Sequence, residues 1–116
     1  MSTNQNEINS PSRFESFDMP LVIILEKNYW GTCFLMRPII EDLKYLYKGK
    51  INFHTFQEEL PEIFMQNLII KKYPTILFFQ AKQLLNKEEG CVNRWKLFQT
   101  ANIFYKNIKA TNNSII

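Results

Sequence analysis

Cysteine and histidine are scarce in this sequence, which limits the chemistry that the chain can support. Only two cysteines, Cys33 and Cys91, and one histidine occur among 116 residues. Two cysteines cannot build the disulfide framework of a small secreted domain. With one histidine they are also too few for a zinc site, so we expect no metal and no cofactor. Because a low cysteine count is typical of the reducing cytosol, we expect a cytoplasmic location.

Long apolar runs are also absent. The longest extends only from Leu21 to Leu25, far short of the ~20 residues that a membrane-spanning helix needs. Residues 1–12 are polar and rich in Asn and Ser, without the apolar stretch of a secretory signal. We therefore expect no membrane partner, and we expect residues 1–12 to be a disordered tail.

Charge of neither sign dominates. The net charge is +3, from 14 basic and 11 acidic residues that are scattered along the chain. A nucleic-acid-binding domain usually clusters its basic residues on one face, so this pattern argues against a nucleic-acid partner. The length and the 46% hydrophobic content suit one core. We expect a monomeric domain over residues 13–109, followed by a frayed tail over residues 110–116.

Hydrophobic patterning predicts the first strand and the longest helix. The continuous run Leu21–Leu25 is typical of a strand buried on both faces of a sheet. Apolar residues recur every three or four positions over residues 33–48, which indicates an amphipathic helix. Pro38 lies inside this helix and should kink it near its start. Arg37 and Glu41 are one helical turn apart, and we expect them to form a surface ion pair.

The rest of the chain continues this alternation of strands and helices. The pattern predicts further strands over residues 51–56, 75–79 and 83–87, and helices over residues 11–17, 58–67 and 93–109. A helical crossover between the first two strands implies parallel pairing, whereas a tight turn at residues 81–82 implies a hairpin. The prediction is an α/β domain with a mixed four- to five-stranded sheet and helices on both faces.

Three short motifs resemble motifs of the thioredoxin-like family and occur in the same order along the chain. The resemblance covers residues from about Val22 to Cys91. In the family, Trp-Cys-Gly-Pro-Cys precedes a helix kinked by a proline, a cis-proline follows in Ile-Arg-Gly-Ile-Pro-Thr, and a glycine precedes the last helix. The matching residues here are Tyr29-Trp30-Gly31-Thr32-Cys33 with Pro38, then Ile70-Lys71-Lys72-Tyr73-Pro74-Thr75, then Gly90.

The resemblance implies a thioredoxin fold and a binding groove. Pro74 should follow a cis peptide bond, and the backbone of Tyr73 should pair with an extended substrate, as an added strand pairs with a sheet edge. The residues that the resemblance places around a protein or peptide partner are Tyr29, Trp30, Gly31, Thr32, Tyr73, Pro74, Gly90 and Cys91.

The catalytic groups of the family are largely missing. Dithiol exchange needs one thiolate to attack and a second thiol to resolve the mixed disulfide. Trp30 occupies the attacking position and cannot react in this way, so only Cys33 remains, at the resolving position. Ile24 and Thr55 stand where the family has a buried acid and its lysine partner. The resemblance therefore implies a degenerate site.

Two functions and two arrangements of the thiols remain open. The chain belongs to the thiol–disulfide oxidoreductase class with single-thiol chemistry at Cys33, or it is a redox-inactive module that holds a peptide or protein in the groove. Cys33 and Cys91 either lie within the roughly 7 Å between α-carbons that a disulfide requires, or are two isolated thiols.

Overall fold

The chain folds into a four-stranded sheet with two long helices. The computed structural model describes residues 20–27, 31–57 and 68–115, with side chains described as far as residue 109. The helices predicted over residues 11–17 and 58–67 lie outside these ranges. The elements in chain order are β1 (Leu21–Glu26), α1 (Gly31–Leu46), β2 (Asn52–Gln57), β3 (Thr75–Gln80), β4 (Gln83–Glu89) and α2 (Arg94–Ile115).

The sheet is mixed, as predicted, with the strand order β2-β1-β3-β4. The crossover through α1 makes β1 and β2 parallel, and their register places Ile24 beside Thr55. β3 runs antiparallel to both β1 and β4. β1 is buried along its whole length because strands flank it on both sides and side chains cover both faces.

One face of the sheet carries the larger core. Alternate residues of β1 and β3 point to this face, and the apolar stripes of α1 and α2 both pack on it. The rings of Phe78 and Phe104 meet edge to face, with centroids 5.2 Å apart. Each large side chain buried in this way contributes roughly 1.5–3 kcal/mol. The contributing residues are Val22, Ile24, Met36, Ile40, Leu43, Ile76, Phe78, Leu97, Ala101, Phe104 and Ile108.

The opposite face of the sheet has its own apolar cluster, centred on β1 and β3. Both described helices lie on the first face, so helices on both faces remain a prediction that concerns residues outside the described ranges. Among the described residues, the second cluster consists of buried Leu21, Ile23, Leu25, Leu77 and Phe79, with Phe56, Leu68, Ile70 and Tyr73 packed against it.

The helix ends largely follow their sequence signals. α1 begins at Gly31, slightly before the predicted start, and contains Pro38. The side-chain oxygen of Asn93 accepts a hydrogen bond of 2.8 Å from the N–H of Lys96, which caps α2. α2 continues through Ile115, past the predicted boundary at residue 109. Within the described ranges, neither helix combines the length and the apolar composition needed to cross a bilayer.

Candidate functional site

The first turn of α1 lies against the loop that leads into β3. The hydroxyl of Thr32 donates a hydrogen bond to the carbonyl oxygen of Tyr73. The Tyr73–Pro74 peptide bond is cis, which confirms the prediction for Pro74. The N–H of Gly90 donates a 2.8 Å hydrogen bond to the carbonyl of Pro74. The structure thus brings together residues from three separate predicted motifs.

Gly90 occupies a backbone position that a larger residue would strain. Its φ is +72°, in the left-handed region that favours glycine. A Cβ built at this position would also lie 3.3 Å from Cδ of Lys72. Gly90 therefore allows the end of β4 to approach Pro74 closely, and Cys91 follows it on the exposed surface.

Cys33 lies behind this surface and not on it. It projects from the first turn of α1 into the protein, and only 2% of the residue is exposed. The N–H of Lys27 donates a hydrogen bond to its sulfur at 3.4 Å, while Nζ of Lys27 lies over the ring of Tyr73, 5.2 Å from the centroid. Both Cys33 and Cys91 are free thiols.

Burial controls the chemistry of this thiol. Removal from water raises the pKa of Cys33 above its ordinary value of 9.0, and the negative charge of Glu26 raises it further. The hydrogen bond from Lys27 and the positive charge of Arg37 act in the opposite direction, but they do not outweigh burial. Cys33 therefore stays protonated at neutral pH, the form that does not attack disulfides.

Glu26 is a feature of the site that the sequence reasoning missed. It ends β1 and is only 8% exposed, with a carboxylate oxygen 3.2 Å from Nε2 of Gln57 and 3.6 Å from Nη2 of Arg37. Strand alternation places Glu26 on the same face as Ile24, the position where the family has its buried acid. That alternation was the signal that could have found it. Ile24 itself is buried and apolar.

The predicted ion pair between Arg37 and Glu41 is wrong. Arg37 reaches across to Glu26 on β1, and Glu41 pairs instead with Lys44 at 3.1 Å. A buried carboxylate is a stronger attraction for a guanidinium than an exposed one, because water screens the exposed carboxylate. The tertiary contact therefore displaces the local helical pair.

The remaining predicted residues fall into two groups. Tyr29 and Trp30 lie outside the described ranges, and their part in a site stays a prediction. Gly31 is the exposed first residue of α1, and Thr55 is an exposed residue of β2 paired in register with Ile24. In the described ranges, no group of three or more His, Cys, Asp or Glu side chains is placed to hold a metal ion.

No protein-family model and no curated protein sequence matches the chain.

Proposed function

We propose that the chain is a thioredoxin-like module without dithiol activity that binds an extended peptide or a partner protein. The binding site, named here the Tyr73 surface, consists of Gly31, Thr32, Tyr73 and Cys91 together with Pro74 and Gly90, which are buried. The observation that carries the proposal is the contact between Thr32 and Tyr73, which sets this surface directly in front of a buried thiol.

The strand arrangement supports the thioredoxin-like part of the proposal. A parallel pair joined through a helix, followed by an antiparallel hairpin, gives the sheet order β2-β1-β3-β4. α1 and α2 pack on the same face of that sheet. This arrangement is consistent with the thioredoxin fold that the resemblance in sequence motifs implies.

The state of Cys33 favours binding over chemistry. Exchange with a disulfide requires a thiolate that the disulfide can reach. The sulfur of Cys33 is buried, and its raised pKa keeps it protonated. Single-thiol chemistry is the alternative, and it would require the start of α1 to open before Cys33 could react.

The binding mode that we propose uses the backbone at Tyr73. An extended peptide that pairs beside Tyr73 would accept and donate main-chain hydrogen bonds, as an added strand does. The hydroxyl of Thr32 already uses the carbonyl of Tyr73. A carbonyl oxygen accepts up to two hydrogen bonds, so an incoming peptide N–H shares this acceptor with the Thr32 hydroxyl, which moderates the gain from the new hydrogen bond.

The proposal is tested by NMR titration of the full chain with reduced, carboxymethylated α-lactalbumin, an unfolded protein without free thiols. We expect the amide signals of Thr32, Gly90 and Cys91 to shift together. Cys91→Trp should weaken this binding because it adds bulk at the exposed rim. Gln83→Trp places the same bulk at the other end of β4 and serves as the matched control. No shifts, or equal effects of the two variants, would refute the proposed site.

A further inference from the structure

A concave surface lies between the end of α1 and α2, and it takes no part in the Tyr73 surface. It is an apolar groove of about 370 Å³, named here the helix groove. Trp95 is 71% exposed and Leu46 is 53% exposed at its sides. The residues that line it are Leu46, Tyr47, Trp95, Phe98, Gln99 and Asn102.

Two of the side chains that line the groove, Phe98 and Tyr47, are held in place by other contacts. Arg94 bridges the two helices through a 2.7 Å ion pair with Asp42, and its guanidinium lies over the ring of Phe98 at 5.5 Å. At the other end the rings of Tyr47 and Tyr105 meet with centroids 5.6 Å apart. These two rings therefore lose little conformational entropy when a partner binds.

The positions on α2 explain why the groove faces outward. Trp95, Phe98 and Asn102 follow the helical spacing of one stripe, next to the stripe that packs in the core. An exposed tryptophan beside further apolar side chains is typical of an interaction site, because monomeric proteins rarely expose a large contiguous apolar patch to solvent.

The free charge near the groove is positive and lies towards Tyr47, whereas at the other end Asp42 is paired with Arg94. Neither residues 43–57 nor residues 94–115 contain an Asp or Glu. Lys48 follows Tyr47 directly, and Lys106 lies one helical turn beyond Asn102. Nζ of Lys109 lies 5.4 Å from the ring centroid of Tyr105, which itself contacts Tyr47. The groove therefore has an apolar floor and a cationic end.

We propose that the helix groove binds an acidic segment of a partner protein, separately from the Tyr73 surface. An apolar side chain of that segment packs beside Trp95, and its carboxylates face Lys48, Lys106 and Lys109. Complementary charge of this kind raises the association rate and selects the partner.

The shape of the groove favours a peptide over a membrane or a nucleic acid. A bound peptide can follow the groove between the two helices, whereas a flat membrane surface would reach only the exposed Trp95 and Leu46 at its sides. Single-stranded nucleic acid requires a series of exposed rings for stacking, whereas the ring of Phe98 is already covered by Arg94.

Three fluorescein-labelled helical peptides test the inference by fluorescence anisotropy on the full chain. They share the same Leu and Phe positions and carry Glu, Gln or Lys at all the others. We expect the Glu peptide to bind most tightly, the Gln peptide less tightly and the Lys peptide least. Added salt should weaken binding of the Glu peptide more than binding of the other two, because salt screens exposed charges.

Variants locate the binding. Trp95→Ala should weaken binding of the Glu peptide by about tenfold or more. Lys106→Glu should also weaken binding of the Glu peptide and reduce the salt dependence of that binding. Tyr45→Ala is the matched control, since Tyr45 is 83% exposed on α1 but does not line the groove. Cys91→Trp should leave the affinity unchanged, which separates this inference from the Tyr73 surface.

Three results would overturn the inference. The Glu peptide does not bind, or it binds no better than the Gln peptide, or Trp95→Ala leaves its affinity unchanged. Tighter binding to phosphatidylserine-containing vesicles or to oligo(dT) than to the Glu peptide, when lost in Trp95→Ala, would also overturn it, because the groove would then serve a membrane or a nucleic acid.

Discussion

The hydroxyl of Thr32 donates a hydrogen bond to the carbonyl of Tyr73, which lies 41 residues further along the chain. The bond ties the first turn of α1 to the loop before β3. The same carbonyl is the group that an extended peptide would use. The Thr32 hydroxyl and a bound peptide N–H would therefore share one acceptor oxygen, and each weakens the bond that the other makes.

Replacing Thr32 by Val should separate these two effects. The variant keeps the shape of the side chain but leaves the Tyr73 carbonyl without its donor, so we expect a loss of about 1 kcal/mol in the free energy of unfolding. It should also bind carboxymethylated α-lactalbumin more tightly. Urea unfolding and NMR titration measure the two effects, and Thr32→Ser, which keeps the hydroxyl, should resemble the parent. Weaker binding by Thr32→Val would contradict the proposed role of the carbonyl.

The rate of alkylation with iodoacetamide should differ between the two cysteines. It should also report how the charges of Glu26 and Arg37 affect the pKa of Cys33. We expect Cys91 to react at least about tenfold faster than Cys33 in the folded protein, because Cys33 is buried and protonated. Glu26→Gln should lower the pKa of Cys33, since the carboxylate raises it, and Arg37→Ala should raise that pKa. Mass spectrometry of Cys33 peptides across a pH series measures both. Shifts of the same sign in the two variants would exclude this electrostatic account.

Stability should fall at alkaline pH. A thiol with a raised pKa in the folded state binds its proton more tightly there, so its contribution is complete below the ordinary pKa of 9.0 and is lost as pH rises through the folded-state value. Cys33→Ala should flatten the first part of this decline. Burial also raises the pKa of Tyr47 above its ordinary value of 10.0. The contribution of Tyr47 to the loss of stability at alkaline pH should therefore persist in Cys33→Ala. Equal slopes for parent and variant in thermal unfolding would argue against a buried thiol.

The turn between β3 and β4 holds Ala81 and Lys82 in a left-handed backbone conformation that is unfavourable for both residues. Ala81 and Lys82 have φ values of 49° and 69°, a region that asparagine and glycine tolerate far better. The double variant Ala81→Asn, Lys82→Gly should therefore stabilise the protein by about 1 kcal/mol. Lys82→Ala removes the long side chain but keeps the Cβ, so it should give no such gain in urea unfolding. A less stable double variant would show that the turn conformation is not limiting.

Local patterns predicted the four described strands, the two described helices and the mixed sheet, because those patterns act over a few residues. The run Leu21–Leu25 specifies a central strand, and Asn93 caps α2 through its own side chain. The crossover and the tight turn then leave few ways to pair the strands. This reasoning needs no knowledge of distant contacts.

The details of the site depend on tertiary contacts between residues that are far apart in the sequence, and local patterns do not predict such contacts. Arg37 has a carboxylate one turn away at Glu41, yet pairs with Glu26 on another element. The covering of Cys33 and the hydrogen bond from Lys27 follow from the packing of α1 on β1. Likewise, the helix groove depends on how α1 meets α2, and neither helix reveals it alone.

Reduction of insulin disulfides with dithiothreitol as electron source tests the central claim most directly. The parent chain and Cys33→Ser are compared with dithiothreitol alone, and precipitation of the insulin B chain is followed by turbidity. The account predicts that neither protein accelerates the reaction, because the one thiol behind the Tyr73 surface is buried and protonated. Acceleration by the parent that disappears in Cys33→Ser would contradict it and establish single-thiol chemistry.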